Sequence, residues 1–309
     1  MNYNRTELCD GVSFSSVIDS KFKTRSVYVR FITEQREDCV SANSLAAGCL
    51  SYSSRAYRTN AQLNEVLSEN YGAGISSSSS KAGDLQILGL SASWICDRYA
   101  ISDEDGEGLT SRLLDIFCGC MFEPNAEGGS FDEESFRITK KELLDRIDGE
   151  LNNKRLYAIR RASELAYRGE PAGIPLDGSR ESAEAVTPSE AYEAYRRLIE
   201  TAQVEIFVVS PDELPEAEQR FRECFSKIDR RPGTYKYRAS SPVKKEYESA
   251  KETLDVLQSK LVMTYKSDSD DTYALRMLSI ILGGTPVSKL FMNVREKMSL
   301  CYYCASRFN

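Results

Sequence analysis

The segment LFMNVREKMSLCYYCAS, Leu290 to Ser306, reads as a helix running straight into a strand. Leu290, Phe291, Val294 and Met298 fall at helical spacing on one apolar face, with Arg295, Glu296 and Lys297 beside or opposite it. From Leu300 onward, Cys301, Tyr302, Tyr303 and Cys304 suit a pleated, buried surface better than a helix. An arginine near the helix end and a tyrosine seven positions later can face one cavity. They would bring two hydrogen-bond donors, one permanently charged and one neutral. Such a pair suits a peptide carbonyl, or the oxyanion formed when that carbonyl is attacked. A surface arginine beside a core tyrosine is the plainer alternative.

The second fact that decides function is an absence. The 309-residue chain contains no histidine. That excludes histidine-based triads, histidine general bases and histidine-ligated zinc within this chain. The net charge of −7 argues against non-specific nucleic-acid binding, and no basic patch reverses it. The N-terminus, MNYNRTELCDGVSF, lacks an apolar core of signal-peptide length, and no run reaches the length of a membrane span. A cytoplasmic location is the expectation. The nine cysteines are scattered, so reduced thiols are expected. Within a strand, Cys301 and Cys304 would point to opposite faces.

Working back along the chain, Gly11 to Ile18 and Arg25 to Thr33 read as a strand pair joined by Asp19 to Lys23. An acidic spacer, Glu34 to Asp38, leads to a helix of small residues, Val40 to Ser51. A second helix, Asn60 to Asn70, has Thr59 as its N-cap. Ile75 to Ser80 and Asp84 to Ile95 read as a hairpin. The serine run Ser76 to Ser80 is taken as strand because a β-run follows at hairpin distance. Helices are expected over Leu109 to Met121, from a Ser130/Glu133 capping box to about Leu151, and over Lys154 to Tyr167. A loop, Gly169 to Asp177, follows. Thr187-Pro-Ser-Glu190 opens a helix to about Thr201. Val204 to Val209 is a buried strand, and Leu214 to Phe225 a helix.

The domain boundary is placed at Asp229 to Tyr237, giving domains 1–230 and 231–309. Strand Val27–Thr33, acidic spacer and helix from Val40 recur as strand Leu261–Lys266, spacer Asp268–Asp271 and helix Tyr273–Leu282. The second copy would then have begun but not ended. The expectation is an incomplete second domain, short by on the order of 100 residues.

The Leu290–Ser306 segment resembles the R/Y segment of the pitrilysin/insulinase-type zinc peptidases, the inverzincins, and the likeness extends thinly over nearly the whole chain. Arg295 and Tyr302 stand at the family's substrate-binding arginine and tyrosine. The resemblance implies an α+β fold: tandem domains, each a mixed, mostly antiparallel sheet with helices on one face (LuxS/metallopeptidase-like). In catalytic members an H-x-x-E-H helix follows the second strand and binds zinc. Here that motif falls on Ser44-Leu-Ala-Ala-Gly48, so Ser44 and Gly48 fill the histidine slots and Ala47 the glutamate slot. Glu142 matches the distal zinc ligand across a stretch where insertions loosen the alignment. Read alone, it is a solvated helix glutamate beside Lys140 and Lys141.

The chain thus resembles the histidine-less subunit of the bacterial two-subunit members, more narrowly the one associated with elongation factor P modification. The resemblance implies a heterodimer whose partner carries the zinc motif, a peptide substrate, no metal or catalytic residue in this chain, and substrate binding by Arg295 and Tyr302. A structural subunit, a peptide-binding or maturation factor, and an independent enzyme of another type remain alternatives.

Overall fold

The computed structural model describes residues 2–101, 108–235 and 241–308. The chain divides into two compact units, one formed by Met1–Ala239 with Glu248–Thr264 and the other by Ser240–Tyr247 with Tyr265–Asn309. Lys236 and Tyr237, at the end of the expected boundary, lie outside the described residues.

The larger unit is α+β. Its strands are β1 (Asn2–Cys9), β2 (Val12–Ile18), β3 (Thr24–Glu34), β4 (Gly74–Ala82), β5 (Leu85–Ile95), the short pair β6 (Ala126–Glu127) and β7 (Ser130–Phe131), and β8 (Gln203–Ser210). Its helices are α1 (Val40–Tyr52), α2 (Asn60–Glu69), α3 (Leu109–Phe122), α4 (Glu133–Gly149), α5 (Lys154–Ala166), α6 (Arg180–Ala185), α7 (Pro188–Thr201) and α8 (Pro215–Ser226). Six strands form one mixed sheet in the order β1-β2-β8-β3-β5-β4, with β2/β8 its parallel pair.

Burial alternates strictly along β3 and β8, so one face of the sheet is covered and the other is open to solvent. Val27, Val29, Phe31, Val204, Ile206 and Val208 point into the core, where α1, α3, α7 and α8 cover them. Phe117 on α3 and Phe221 on α8, both fully buried, meet edge to face with centroids 6.3 Å apart.

Two expectations for this unit need correction, and one strand had no expectation. The strands on either side of Asp19–Lys23 do form, but they do not pair. β8 lies between them, parallel to β2 and antiparallel to β3. Five residues span the two inter-strand steps of about 4.8 Å each. The N-terminal residues form β1, an edge strand on β2 that its polar composition disguised. The cap of α4 is Asp132, which accepts from the Ser135 N–H, while Ser130 belongs to β7. The Thr59 and Thr187 capping boxes form as read.

The smaller unit holds α9 (Thr272–Ser279), continued by wide helical turns over Ile280–Gly284, and a second set of wide turns over Phe291–Lys297. Leu261–Lys266 and Leu300–Ser306 are not strands. Among the described residues no strand lies beside either segment, and an isolated strand leaves its backbone groups without a ladder. The expected buried pleat at the chain's end is instead exposed, Tyr302 at 86% and Leu300 at 69%.

Candidate functional site

Two places gather the residues singled out from sequence. The first lies in the larger unit. Ser44, Ala47, Gly48 and Ser51 form a stripe at i, i+3, i+4 and i+7 on α1. Thr139, Glu142, Leu143 and Arg146 form the same stripe on α4. Both stripes line one cavity of about 290 Å³, whose third wall is β4, through Ile75 and Ser76 to Ser79. The position expected for the catalytic helix and the position expected for the distal glutamate therefore meet in one hollow.

α1 enters this site because its small residues let it lie close to the sheet. It is buried on most of its circumference, from Val40 to Leu50. The serine run earns its place in the sheet by register: Ser76 to Ser80 pair with Ser91 to Ile87 of β5. Ser51 Oγ donates to Ser77 Oγ at 2.9 Å, joining α1 to the edge strand. β4 ends the sheet, and its outer edge has no strand partner among the described residues.

Nothing in this hollow suits zinc as the family holds it. Gly48 and Ala47 offer no donor atom. Ser44 Oγ accepts from Gln86 Nε2 at 3.3 Å inside a buried amide network. A Cβ on Gly48 would meet Thr139 Cγ2 at 2.5 Å, so α4 packs into the space a side chain there would need. Among the described residues no group of three or more His, Cys, Asp or Glu side chains is placed to hold a metal.

The charges of the hollow are unequal in their partners. Arg146 Nε donates to Asp177 Oδ2 at 3.0 Å, and Ser79 Oγ donates to Asp177 Oδ1 at 3.0 Å. This tie between α4, β4 and the loop before α6 was not read from sequence. Its signals were the α4 stripe from Thr139 to Arg146 and a carboxylate in a Gly/Pro-rich loop. Glu142 is exposed and has no hydrogen bond or ion pair among the described residues. Lys140, its expected neighbour, donates to the carbonyls of Glu184 and Val186, and Lys141 pairs with Asp145 at 2.6 Å. Burial, aided by the Glu142 and Glu134 carboxylates, holds the Tyr52 phenol above its usual pKa.

The second place is the smaller unit. The Arg295 guanidinium lies 4.5 Å from the Phe291 ring centroid and 5.6 Å from that of Tyr302. The two residues expected to share a substrate are thus in mutual contact. Ser299 makes this possible: its φ of 50° ends the helical turns in the left-handed region and turns the chain back. The helix does not run straight on. The pairing is cation over ring, with Tyr302 in solvent rather than in a strand. Farther on, Ser306 N–H donates to Gly283 O at 3.2 Å. A side chain at Gly283 would meet that backbone nitrogen at 2.4 Å, so only glycine allows the approach. Cys301 and Cys304 do not point apart; the Cys304 thiol is raised by desolvation and by the Cys301 thiol beside it.

Comparison with known proteins follows the same lines. Residues 185–309 match the family model described as Peptidase M16 inactive domain, M16 being the pitrilysin/insulinase family. The chain is 26% identical over 301 residues to the probable inactive metalloprotease YmfF of Bacillus subtilis (strain 168), covering 96% of this chain and 70% of that protein. A conserved protein from Enterococcus faecalis V583 superposes with a TM-score of 0.84 at 25% identity, over 100% of this chain and 72% of that one. An M16 inactive-domain structure from Pseudomonas fluorescens shares the fold, with a TM-score of 0.67 at 16% identity over 100% of this chain and 71% of that one. The chain is thus similar over nearly all its length to a probable inactive metalloprotease, and over residues 185–309 to the M16 inactive domain.

Proposed function

We propose that this chain is the non-catalytic subunit of a two-subunit M16-type peptidase, holding substrate for a partner that carries H-x-x-E-H. The observation that carries the reading is the pairing of an emptied motif with a kept one. The slots for zinc and base are Ser44, Ala47 and Gly48, the last packed against Thr139, while Arg295 and Tyr302 stand together, the guanidinium over the ring. Hydrolysis would belong to the partner. Arg295 and Tyr302 would orient the peptide and donate to the oxyanion as it forms, an effect worth about 100-fold or more in rate per donor. A cytoplasmic location and a link to elongation factor P modification belong to the same proposal, on resemblance alone.

The test is co-expression with the zinc-motif partner. Arg295→Ala is expected to lower kcat/KM of the purified complex about 100-fold without dissociating it. Turnover unchanged in that variant would remove the assigned role. Stoichiometric zinc in this chain purified alone would overturn the division of labour.

A peptide-holding role without hydrolysis is the second reading. The open edge of β4 beside the α1/α4 hollow favours it, because an extended peptide can add to a free sheet edge through its backbone.

A further inference from the structure

The hollow between α1, α4 and β4 has a polarity that a metal-free relic would not need. Its floor and walls present the hydroxyls of Ser44, Ser51, Tyr52, Thr139 and the β4 serines. Two charged side chains line it. One of them, Arg146, is answered by Asp177, whose side chain is only 10% exposed. The other, Glu142, stands at the hollow without a partner among the described residues, and the lysines beside it are engaged elsewhere. Counting Asp177, the site carries two carboxylates against one guanidinium. Hydroxyls accept hydrogen bonds as readily as they donate them, so the lining can serve an ammonium or guanidinium group. A volume of about 290 Å³ equals on the order of ten waters, enough for one long side chain.

We propose that this hollow takes one cationic side chain, lysine or arginine, from an extended peptide laid along β4, with Glu142 as its carboxylate partner. The inference rests on the peptide-holding reading above and adds a preference to it. In an added strand every second side chain points to the same face. One residue of the guest would therefore enter the hollow on its α4 side, toward Glu142 and Leu143, because the Ser51–Ser77 hydrogen bond already closes the gap between β4 and α1, while its neighbours lie outside. Its methylenes would pack on Ile75 and Leu143, and its charge would replace the missing ion pair of Glu142. The position matched to a distal metal ligand would thus have kept its carboxylate and exchanged a metal for an organic cation.

The probe is a labelled host peptide of alternating threonine and valine with one central lysine, compared with central arginine, glutamine and glutamate. Binding to the full chain is read by fluorescence anisotropy at low salt. The lysine and arginine peptides are expected to bind about three- to tenfold more tightly than the glutamine peptide, and the glutamate peptide more weakly. Glu142→Gln should bring lysine and glutamine peptides to the same affinity while leaving the glutamine peptide unchanged. Peptides that bind without a charge preference, or a preference that survives Glu142→Gln, would overturn this inference alone. If no peptide binds, or if N-methylating the peptide backbone leaves affinity intact, strand addition itself fails and the inference falls with it.

Discussion

α1 and the Phe291–Ser306 segment hold the two sets of residues singled out from sequence, and they are built in opposite ways. α1 offers no donor side chain at Ala47 or Gly48, and it is buried on most sides, between the sheet and α4 and α7. The Arg295 segment carries a guanidinium and a phenol, and its Tyr302 and Leu300 lie in solvent with no ladder beside them among the described residues. A helix in the middle of a core draws its stability from packing, whatever its polar side chains are. A pair on an exposed turn depends on local geometry, here on Ser299 and the ring contacts.

The largest effect that sharpens this contrast is expected at Phe221. It is fully buried and packs edge to face on Phe117. Phe221→Ala should cost about 3–5 kcal/mol of stability. The readout is convenient, since the single tryptophan, Trp94, is buried in the larger unit with its indole N–H on Thr110 Oγ1 at 3.0 Å. Urea unfolding followed by Trp94 fluorescence should show the loss. Leu300→Ala, at a side chain 69% exposed, should move the same midpoint by less than about 0.5 kcal/mol. Equal costs at the two positions would erase the contrast.

Legibility followed the same division. β3 and β8 were readable because their alternation is imposed by a half-buried sheet, and the Thr187 capping box because caps are local. The serine run was readable as strand only through its neighbour β5. What escaped was long-range: the insertion of β8 between β2 and β3, and the pairing of polar β1 with β2, neither of which local pattern can encode. At the candidate sites, the expectation was that Arg295 and Tyr302 face one cavity; in the structure the guanidinium lies over the Tyr302 ring instead. Spacing did not reveal the left-handed turn at Ser299 that brings them together. Likewise, nothing local to Glu142 foretold that Lys140 and Lys141 would turn to other partners.

A smaller effect tests how tightly α4 packs against α1 at Gly48. An alanine in place of glycine inside a helix ordinarily gains about 0.5–1 kcal/mol. At Gly48 the new methyl would meet Thr139 Cγ2 at 2.5 Å, and overpacking of that kind costs about 1–3 kcal/mol. Gly48→Ala is therefore expected to destabilise by about 1 kcal/mol despite the helix gain. Thr139→Ser removes the obstructing methyl. In that background Gly48→Ala should turn neutral or stabilising, a coupling of about 1–2 kcal/mol in the double-mutant cycle. Additive single effects would mean that Thr139 does not close the space beside Gly48.

The smallest energy in the comparison is the one that holds residues 300–305. The Leu300 N–H bonds to Val294 O at 3.1 Å, and the Ser306 N–H bonds to Gly283 O at 3.2 Å. The β8 strand, by contrast, is paired on both sides, to β2 and to β3. Amides that open only with the whole unit exchange at a rate set by its global stability, whereas amides outside a ladder exchange near the free-chain rate. Native-state hydrogen exchange on the full chain should therefore leave Val204–Val209 protected while Cys301, Tyr302, Cys304 and Ala305 exchange far faster. Equal protection of these four in the chain alone would erase the contrast between the packed α1 and the unladdered Arg295 segment. Protection that arises only on adding the zinc-motif partner or a bound peptide would show that the added chain supplies a neighbour, since a strand forms where a second backbone supplies its hydrogen bonds.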